Sequence, residues 1–252
     1  MGLAFIPLGV GDAFSSLHYS SSVAVEADGK WLLVDCPHPI RKILREGSAA
    51  AGTALDVGSF EGVVITHVHA DHASGLEGLG FYSYFVLRRR ARVLAHPRVA
   101  AGLWDGSLAG GMSEAAADAS LQSRRMRFAD YFDLVPLDEE RTARIGPFEI
   151  ECRRTRHVVP TTALRIRAGG RSLALSSDTA FDPQLVEWLT QADLVLHETG
   201  RGIHTPYEAL SALPDEVRTK LRLIHYPDDL DPSASGIEAL VQGRRYEVRS
   251  MR

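Results

Sequence analysis

Thr66-His67-Val68-His69-Ala70-Asp71-His72 sets three imidazoles and one carboxylate into the six positions from 67 to 72, directly behind the apolar run Gly62-Val63-Val64-Ile65. That run is short, β-branched and opened by glycine, which is the pattern of a buried strand. The cluster therefore falls where a strand leaves its sheet, so the strand fixes the loop and the loop aims several side chains at one spot. A spacing of two puts His67 and His69 on the same side of an extended segment; Asp71 continues that phase and His72 steps off it. A divalent ion such as zinc takes about four N, O or S ligands, with one position left to water in a catalytic site. One segment of this kind can serve two neighbouring ions.

If the cluster is a site, more ligand-type residues should stand at strand ends downstream, and three do. His157 follows a predicted strand over 149–155, Asp178 follows Leu173-Ala174-Leu175-Ser176-Ser177, and His225 follows Leu221-Arg222-Leu223-Ile224. Around these, residues 3–8 read as a first strand. Residues 22–26 and 31–35 read as a hairpin turning at Ala27-Asp28-Gly29-Lys30. A helix starts at Pro39 with Ile40, Ile43 and Leu44 on one face. Residues 47–60 are small and glycine-rich and predict a loop. Residues 92–95 form a strand and Pro97 opens a short helix.

From about 102 to 130 the composition changes: Gly110-Gly111 precedes an Ala-rich stretch with Arg124, Arg125 and Arg127 that predicts a helix. This insertion is the candidate lid or subunit contact. The alternating runs 148–152, 163–167 and 172–176 are strands. Asp182-Pro183 caps a helix carrying Leu185, Val186 and Leu189. Thr205-Pro206 and Asp231-Pro232 open further helices, and 245–248 is a closing edge strand. Strand-rich halves separated by helices predict a layered α/β sandwich forming one domain over 1–252.

Of the 252 residues 45% are hydrophobic and 24% charged, and the net charge is -4. These are the values of an ordinary globular chain. They give no reason to expect broad binding to nucleic acid or membrane. Cys36 and Cys152 form no CxxC pair, which fits a reducing cytosol. Neither a signal-peptide pattern nor an apolar run of membrane-spanning length is present, so the expected location is cytoplasmic, with no membrane partner. The arginines at 88–92, 124–127 and 153–156 are expected on solvated faces.

The run His67-Val68-His69-Ala70-Asp71-His72 resembles the HxHxDH motif of the metallo-β-lactamase fold superfamily. His157, Asp178 and His225 resemble its later ligands in order, and the likeness runs from Leu3 to about Asp229. The resemblance implies a four-layer αββα sandwich. It also implies His67, His69 and His157 on one metal, Asp71, His72 and His225 on the other, and Asp178 bridging. Zn2+ is the ion implied, with Mn2+ or Fe as alternatives. Shorter stretches resemble the ribonuclease Z and phosphodiesterase branch: Leu8-Gly9-Val10-Gly11, Leu33-Val34-Asp35-Cys36, His197-Glu198-Thr199, His204-Thr205 and Leu223-Ile224-His225-Tyr226.

The chain departs from tRNA-processing members in two respects: their Arg-Asn segment near the N-terminus is missing, with His18-Tyr19 standing thereabouts, and their arm is absent. They carry a long arm between the third histidine and the bridging aspartate, and the interval from His157 to Asp178 leaves no room for one. The expected substrate is therefore a small anionic phosphodiester, such as a cyclic nucleotide, rather than a structured RNA. The implied reaction is attack by a metal-bridging hydroxide. Asp71 is expected to orient the water as well as bind metal, His204 to protonate the leaving oxygen, and Glu198 to hold His204 or a ligand histidine in place. A lactone, thioester or β-lactam hydrolase on the same scaffold is the alternative. A homodimer is a further expectation.

Overall fold

The computed structural model describes residues 2–116, 122–232 and 235–249. Chain order begins with β1 (Leu3–Gly9), β2 (Ser22–Ala27) and β3 (Lys30–Val34), followed by α1 (Ile40–Ala50) and β4 (Phe60–Val64). Next come α2 (Ala70–Ala73), α3 (Leu76–Phe81), β5 (Ala91–Ala95), α4 (Pro97–Leu103) and α5 (Ala109–Met112). A hairpin of β6 (Glu114–Ala116) and β7 (Ser123–Arg125) leads into α6 (Phe128–Tyr131) and β8 (Phe132–Pro136). The second half holds β9 (Ala143–Ile145), β10 (Phe148–Arg154), β11 (Thr162–Ala168), β12 (Arg171–Leu175), α7 (Pro183–Leu189) and β13 (Leu194–Glu198). It ends with α8 (Tyr207–Ser211), α9 (Asp215–Arg218), β14 (Leu221–Ile224) and β15 (Tyr246–Glu247).

The strands form two large sheets, ordered β15-β1-β2-β3-β4-β5-β8 and β14-β13-β12-β11-β10-β9. Side-chain alternation decides what each sheet covers. Phe5, Val23, Val25, Leu32, Val34, Val64 and Leu94 face inward and pack against Ile150, Leu164, Ile166 and Leu173 of the second sheet. The intervening residues Ile6, Leu8, Ala24, Leu33, Val63, Val93 and Ala95 face outward, onto Ile40, Ile43 and Leu44 of α1 and Leu76, Leu79, Val99 and Leu103 of α3 and α4. Leu185 and Leu189 of α7 cover the second sheet. This is the αββα layering of the metallo-β-lactamase fold. Each such fully buried aliphatic side chain contributes about 1.5–3 kcal/mol of transfer free energy.

Strand direction explains where a site can form. β3, β4, β5 and β8 are parallel, and β1 points the same way because β2 is antiparallel to both β1 and β3. In the second sheet β12, β13 and β14 are parallel, and β10 runs with them because β11 is antiparallel to both β10 and β12. The C-terminal ends of each set thus lie on one edge of their sheet. A backbone hydrogen bond from Thr162 N–H to Thr66 O, 3.1 Å long, joins the two edges there.

Several sequence expectations are corrected. The stretch with Arg124 and Arg125 is strand β7, not helix, and Arg127 stands at the start of α6. Arg124 is drawn into tertiary contacts, donating to the Tyr84 hydroxyl at 3.0 Å. Part of the expected insertion, residues 117–121, lies outside the described residues. Helix α1 continues through 47–50, where a loop was expected, because Gly47 lets the helix close on Leu8: a Cβ there would meet Leu8 Cδ2 at 2.9 Å. The helix expected after Asp231-Pro232 is absent from residues 235–249, and residues 233–234 lie outside the described residues. Among the described residues no helix is long and apolar enough to cross a membrane.

Candidate metal centre

Every ligand-type residue picked out in the sequence sits on the shared edge. His67 leaves β4 and is fully buried, and its Nδ1 lies 3.1 Å from the Thr66 hydroxyl, which directs Nε2 inward. His69 ends the extended segment and caps the single-turn α2, so the two-residue phase stops there. Asp71 and His72 reach the site from the turn of α2 rather than from an extended strand, which is how neighbouring residues can both face it. His157 lies in the turn between β10 and β11, Asp178 follows β12, and His225 follows β14.

The side chains converge. One ligand atom each from His67, His69, His157 and Asp178 falls within 4.8 Å of the others, and the same holds for Asp71, His72, Asp178 and His225. Asp178 belongs to both groups. Its Oδ2 lies 3.6 Å from His67 Nε2 and 3.8 Å from His157 Nε2. Its Oδ1 lies 3.2 Å from His72 Nε2 and 3.6 Å from His225 Nε2. Asp71 Oδ2 stands 3.2 Å from both His72 Nε2 and His225 Nε2. His67 Nε2, His72 Nε2 and Asp178 Oδ1 are buried at the centre and make no hydrogen bond. Polar atoms left so are costly unless a cation meets them. Imidazole nitrogens with carboxylate oxygens are a donor set suited to zinc, and also to manganese or iron, so the residues fit a divalent metal centre.

Among the described residues, three of the five non-glycine residues with positive φ stand at strand exits of this edge: Asp35 (φ 58), Ser177 (φ 52) and His225 (φ 51). Left-handed backbone costs about 1–3 kcal/mol for such residues and persists where the surroundings over-determine it. Here it turns the chain off the sheet within one residue; after Ser177 the next side chain is Asp178 of the cluster, and His225 is itself a cluster residue.

Asp35 is the site residue that sequence reasoning missed. It is buried, and its Oδ1 accepts the Thr66 N–H at 2.9 Å. Its Oδ2 accepts the Thr66 hydroxyl at 2.8 Å and lies 2.8 Å from His72 Nδ1. Asp35 thus fixes the His72 ring so that Nε2 faces Asp71 and Asp178. The available signals were its place at the end of a hairpin strand and the resemblance of Leu33-Val34-Asp35-Cys36 to the ribonuclease Z and phosphodiesterase branch. Asp35→Ala is expected to weaken metal affinity about 10–100-fold. Competition with a chromogenic chelator reads this, and an unchanged affinity contradicts the role.

Beyond the two groups, His204 Nδ1 lies 3.1 Å from both carboxylate oxygens of the buried Glu198 and 3.9 Å from Asp178 Oδ2. Glu198 also accepts the Thr179 N–H at 2.7 Å, so it is anchored beside Asp178. His197, the next residue, points away: its Nδ1 donates to Glu198 O at 2.7 Å, and burial pushes its pKa down to about 4. His38, His18 and His96 join neither group. Arg89, Arg90 and Arg92 sit at the opposite end of the sheet, where β5 begins, and Arg90 pairs with Asp133 at 2.9 Å. Arg154 pairs with Glu139.

A family profile described as "Anti-Pycsar protein Apyc1" matches residues 3–245 of the chain. The chain belongs to the anti-Pycsar protein Apyc1 family. An Apyc1 protein of Bacillus phage 010DV004 is 31% identical, over 95% of this chain and 96% of its own length. The solved structure of the metallo-β-lactamase fold protein YhfI from Bacillus subtilis superposes with a TM-score of 0.76 at 15% identity, over 98% of this chain and 100% of that one. The human tRNase Z short form gives 0.69 at 19% identity, over 98% and 99%. At such identities these two establish the fold. This Apyc1-family chain therefore pairs a metallo-β-lactamase fold with the ligand cluster of a metal-dependent hydrolase.

The electrostatics of the Apyc1-family centre follow from burial and from the crowding of charges. Burial and the neighbouring His72 push His67 well below the ordinary histidine range, and burial brings His157 to about 4. Burial opposes charge on Asp71 and Asp178, but the surrounding histidines outweigh it and hold both carboxyls far below their usual range. Burial also opposes charge on His72 and His225, and there Asp178 leads the carboxylates that outweigh it, so both are raised. The hydrogen bond that His204 donates to the Glu198 carboxylate raises His204.

A pH prediction follows for the metal-free protein. The raised histidines stabilise it fully below the unfolded histidine pKa of about 6.5, and that contribution is lost as pH rises through their folded values. The lowered groups have finished titrating below that window. The melting temperature without metal is therefore expected to fall from about pH 7 upward. A divalent ion replaces those protons and should hold or raise it over the same range. Thermal melts with chelator and with Zn2+ test this; a metal-free melting temperature that climbs with pH contradicts it.

Proposed function

We propose that the protein is a dinuclear metal-dependent phosphodiesterase acting on a small phosphodiester such as a cyclic nucleotide. The observation that carries this reading is the Glu198–His204 pair, set against Asp178 at the rim of a complete ligand cluster. His67, His69 and His157 would hold one divalent ion and Asp71, His72 and His225 the other, with Asp178 shared. Zn2+ is the first choice, with Mn2+ or Fe as alternatives. Ions held there supply hydroxide near neutral pH by lowering the pKa of water to about 7, and they neutralise charge on the phosphoryl group.

The chain's own residues do the rest. With Nδ1 taken by Glu198, His204 has Nε2 free to hand a proton to the leaving oxygen. The Glu198 carboxylate keeps His204 protonated and fixes the plane of its ring. Asp71, the more exposed of the two clustered carboxylates, orients the attacking water. A phosphodiester needs this donor, because an alkoxide is a poor leaving group.

Substrate size is set by what lies between His157 and Asp178: β11, the turn at Gly169-Gly170 and β12. No arm extends from this interval to grip a folded RNA, which favours a small anionic molecule. The family's name carries the further proposal that the activity acts against Pycsar. Loading the purified protein with Zn2+ or Mn2+ and offering bis(p-nitrophenyl) phosphate beside an aryl lactone tests the reaction class. Turnover of the phosphodiester alone supports it, and turnover of the lactone alone overturns it.

A further inference from the structure

We propose that Phe14 is the platform on which the nucleobase of the substrate stacks. The proposal rests on the cyclic-nucleotide reading above and adds to it how the far end of the substrate is held.

The loop that bears Phe14 is built into the site edge. Tyr226 N–H donates to Val10 O at 3.1 Å, and Asp12 N–H donates to Tyr226 O at 3.2 Å, so residues 10–12 pair with the residue that follows His225. The loop is then braced from within. Phe14 N–H donates to Asp12 Oδ1 at 2.9 Å. Ser16 donates to Asp228 Oδ2 through its N–H at 2.7 Å and its hydroxyl at 2.8 Å. The Ser15 hydroxyl donates to Asp228 as well and accepts the His18 N–H at 3.0 Å. The His18 ring stands edge-on to Tyr226, 5.7 Å between centroids.

On this braced loop Phe14 is 91% exposed. It is not alone. Of the seven large hydrophobic side chains exposed among the described residues, four stand on segments joined to cluster residues: Phe14 and Leu17 on the loop paired with Tyr226, and Val158 and Ile203 next in sequence to cluster histidines. Val158 follows His157 and Ile203 precedes His204. Three separate segments that carry or adjoin cluster residues thus each also carry an exposed apolar side chain. A cyclic nucleotide has matching halves, a charged phosphodiester and a flat base. With the phosphodiester in the cluster, the base reaches outward to these surrounding segments.

Phe14 is the aromatic ring among these four exposed side chains. A ring on a loop already held by hydrogen bonds loses little conformational entropy when a base stacks on it. Contact with a face reads no base edge, so the gain follows stacking strength and is larger for a purine than for a pyrimidine.

The test compares 3′,5′-cyclic GMP, 3′,5′-cyclic UMP and the base-free 1-O-methylribose 3′,5′-cyclic phosphate, using the metal-loaded full chain. In Phe14→Ala the ratio of kcat/KM for cyclic GMP to that for the base-free substrate is expected to fall about ten-fold, through KM, as for one base-on-aromatic stack. The fall is smaller for cyclic UMP, and Phe14→Trp retains the ratio. An unchanged ratio in Phe14→Ala overturns the proposal. So does a fall that tracks loss of a dimer in light scattering and vanishes at high protein concentration, since Phe14 is then a subunit contact. A wild-type protein inert toward all three cyclic substrates with Zn2+ or Mn2+ overturns the underlying function as well, and is distinguishable from either result.

Discussion

Replacing Asp178 with alanine is expected to lower kcat/KM for a small phosphodiester by at least about 10³-fold, beyond the cost of deleting one oxyanion donor. Asp178 is the residue common to both ligand groups, with its two oxygens divided between His67 and His157 on one side and His72 and His225 on the other. It is also the leading charge that raises His72 and His225, so its removal takes the shared anion out of a buried histidine cluster and leaves Asp71, Asp35 and Glu198 around it. Bound metal, measured by atomic emission on dialysed protein, should fall together with turnover. The isosteric Asp178→Asn separates charge from shape: it keeps the volume and should lose nearly as much. Turnover within ten-fold of wild type in either variant contradicts the assignment.

His204→Ala is expected to cost about 10²–10⁴-fold on substrates with alkoxide leaving groups, the usual worth of a positioned general acid. The loss should shrink for p-nitrophenolate, which leaves without a proton. A purely structural His204 would depress both alike. The pH profile gives an independent reading. A general acid must be protonated, so the rate falls as pH rises through the His204 pKa, which the Glu198 hydrogen bond lifts above the usual histidine value. Glu198→Gln removes that carboxylate charge and should move the alkaline limb to lower pH. A limb that stays in place contradicts the pairing, whatever happens to the rate.

The parts of the fold that were legible in the sequence are those in which side-chain pattern and backbone state coincide. The alternation at Phe148-Glu149-Ile150-Glu151-Cys152 reports a strand with one covered face, and β10 is such a strand. Asp182 accepts the Gln184 N–H at 2.9 Å, as an N-cap before Pro183 should. The gathering of ligand-type residues at strand exits was legible because one shared site constrains residue type and position together. What stayed hidden depends on contacts far apart in the chain. Arg124 becomes a strand residue by pairing with Ala115 and reaching Tyr84, and nothing local in its sequence says so. Gly47 looks like a loop residue until Leu8 lies against it. Asp35 looks like a hairpin end until Thr66 and His72, both distant in sequence, close on its carboxylate. Asp71 faces the site from a helical turn, so the extended phase that placed His67 and His69 did not place it.

The central claim is that this cluster cleaves a small cyclic phosphodiester. ³¹P NMR of a 3′,5′-cyclic mononucleotide incubated with the metal-loaded protein tests it most directly. The account predicts that the cyclic phosphodiester resonance is replaced by that of a nucleoside monophosphate, and that this conversion is lost with chelator and in Asp178→Ala. A cyclic resonance that persists unchanged with both the Zn2+-loaded and the Mn2+-loaded wild-type protein would contradict it.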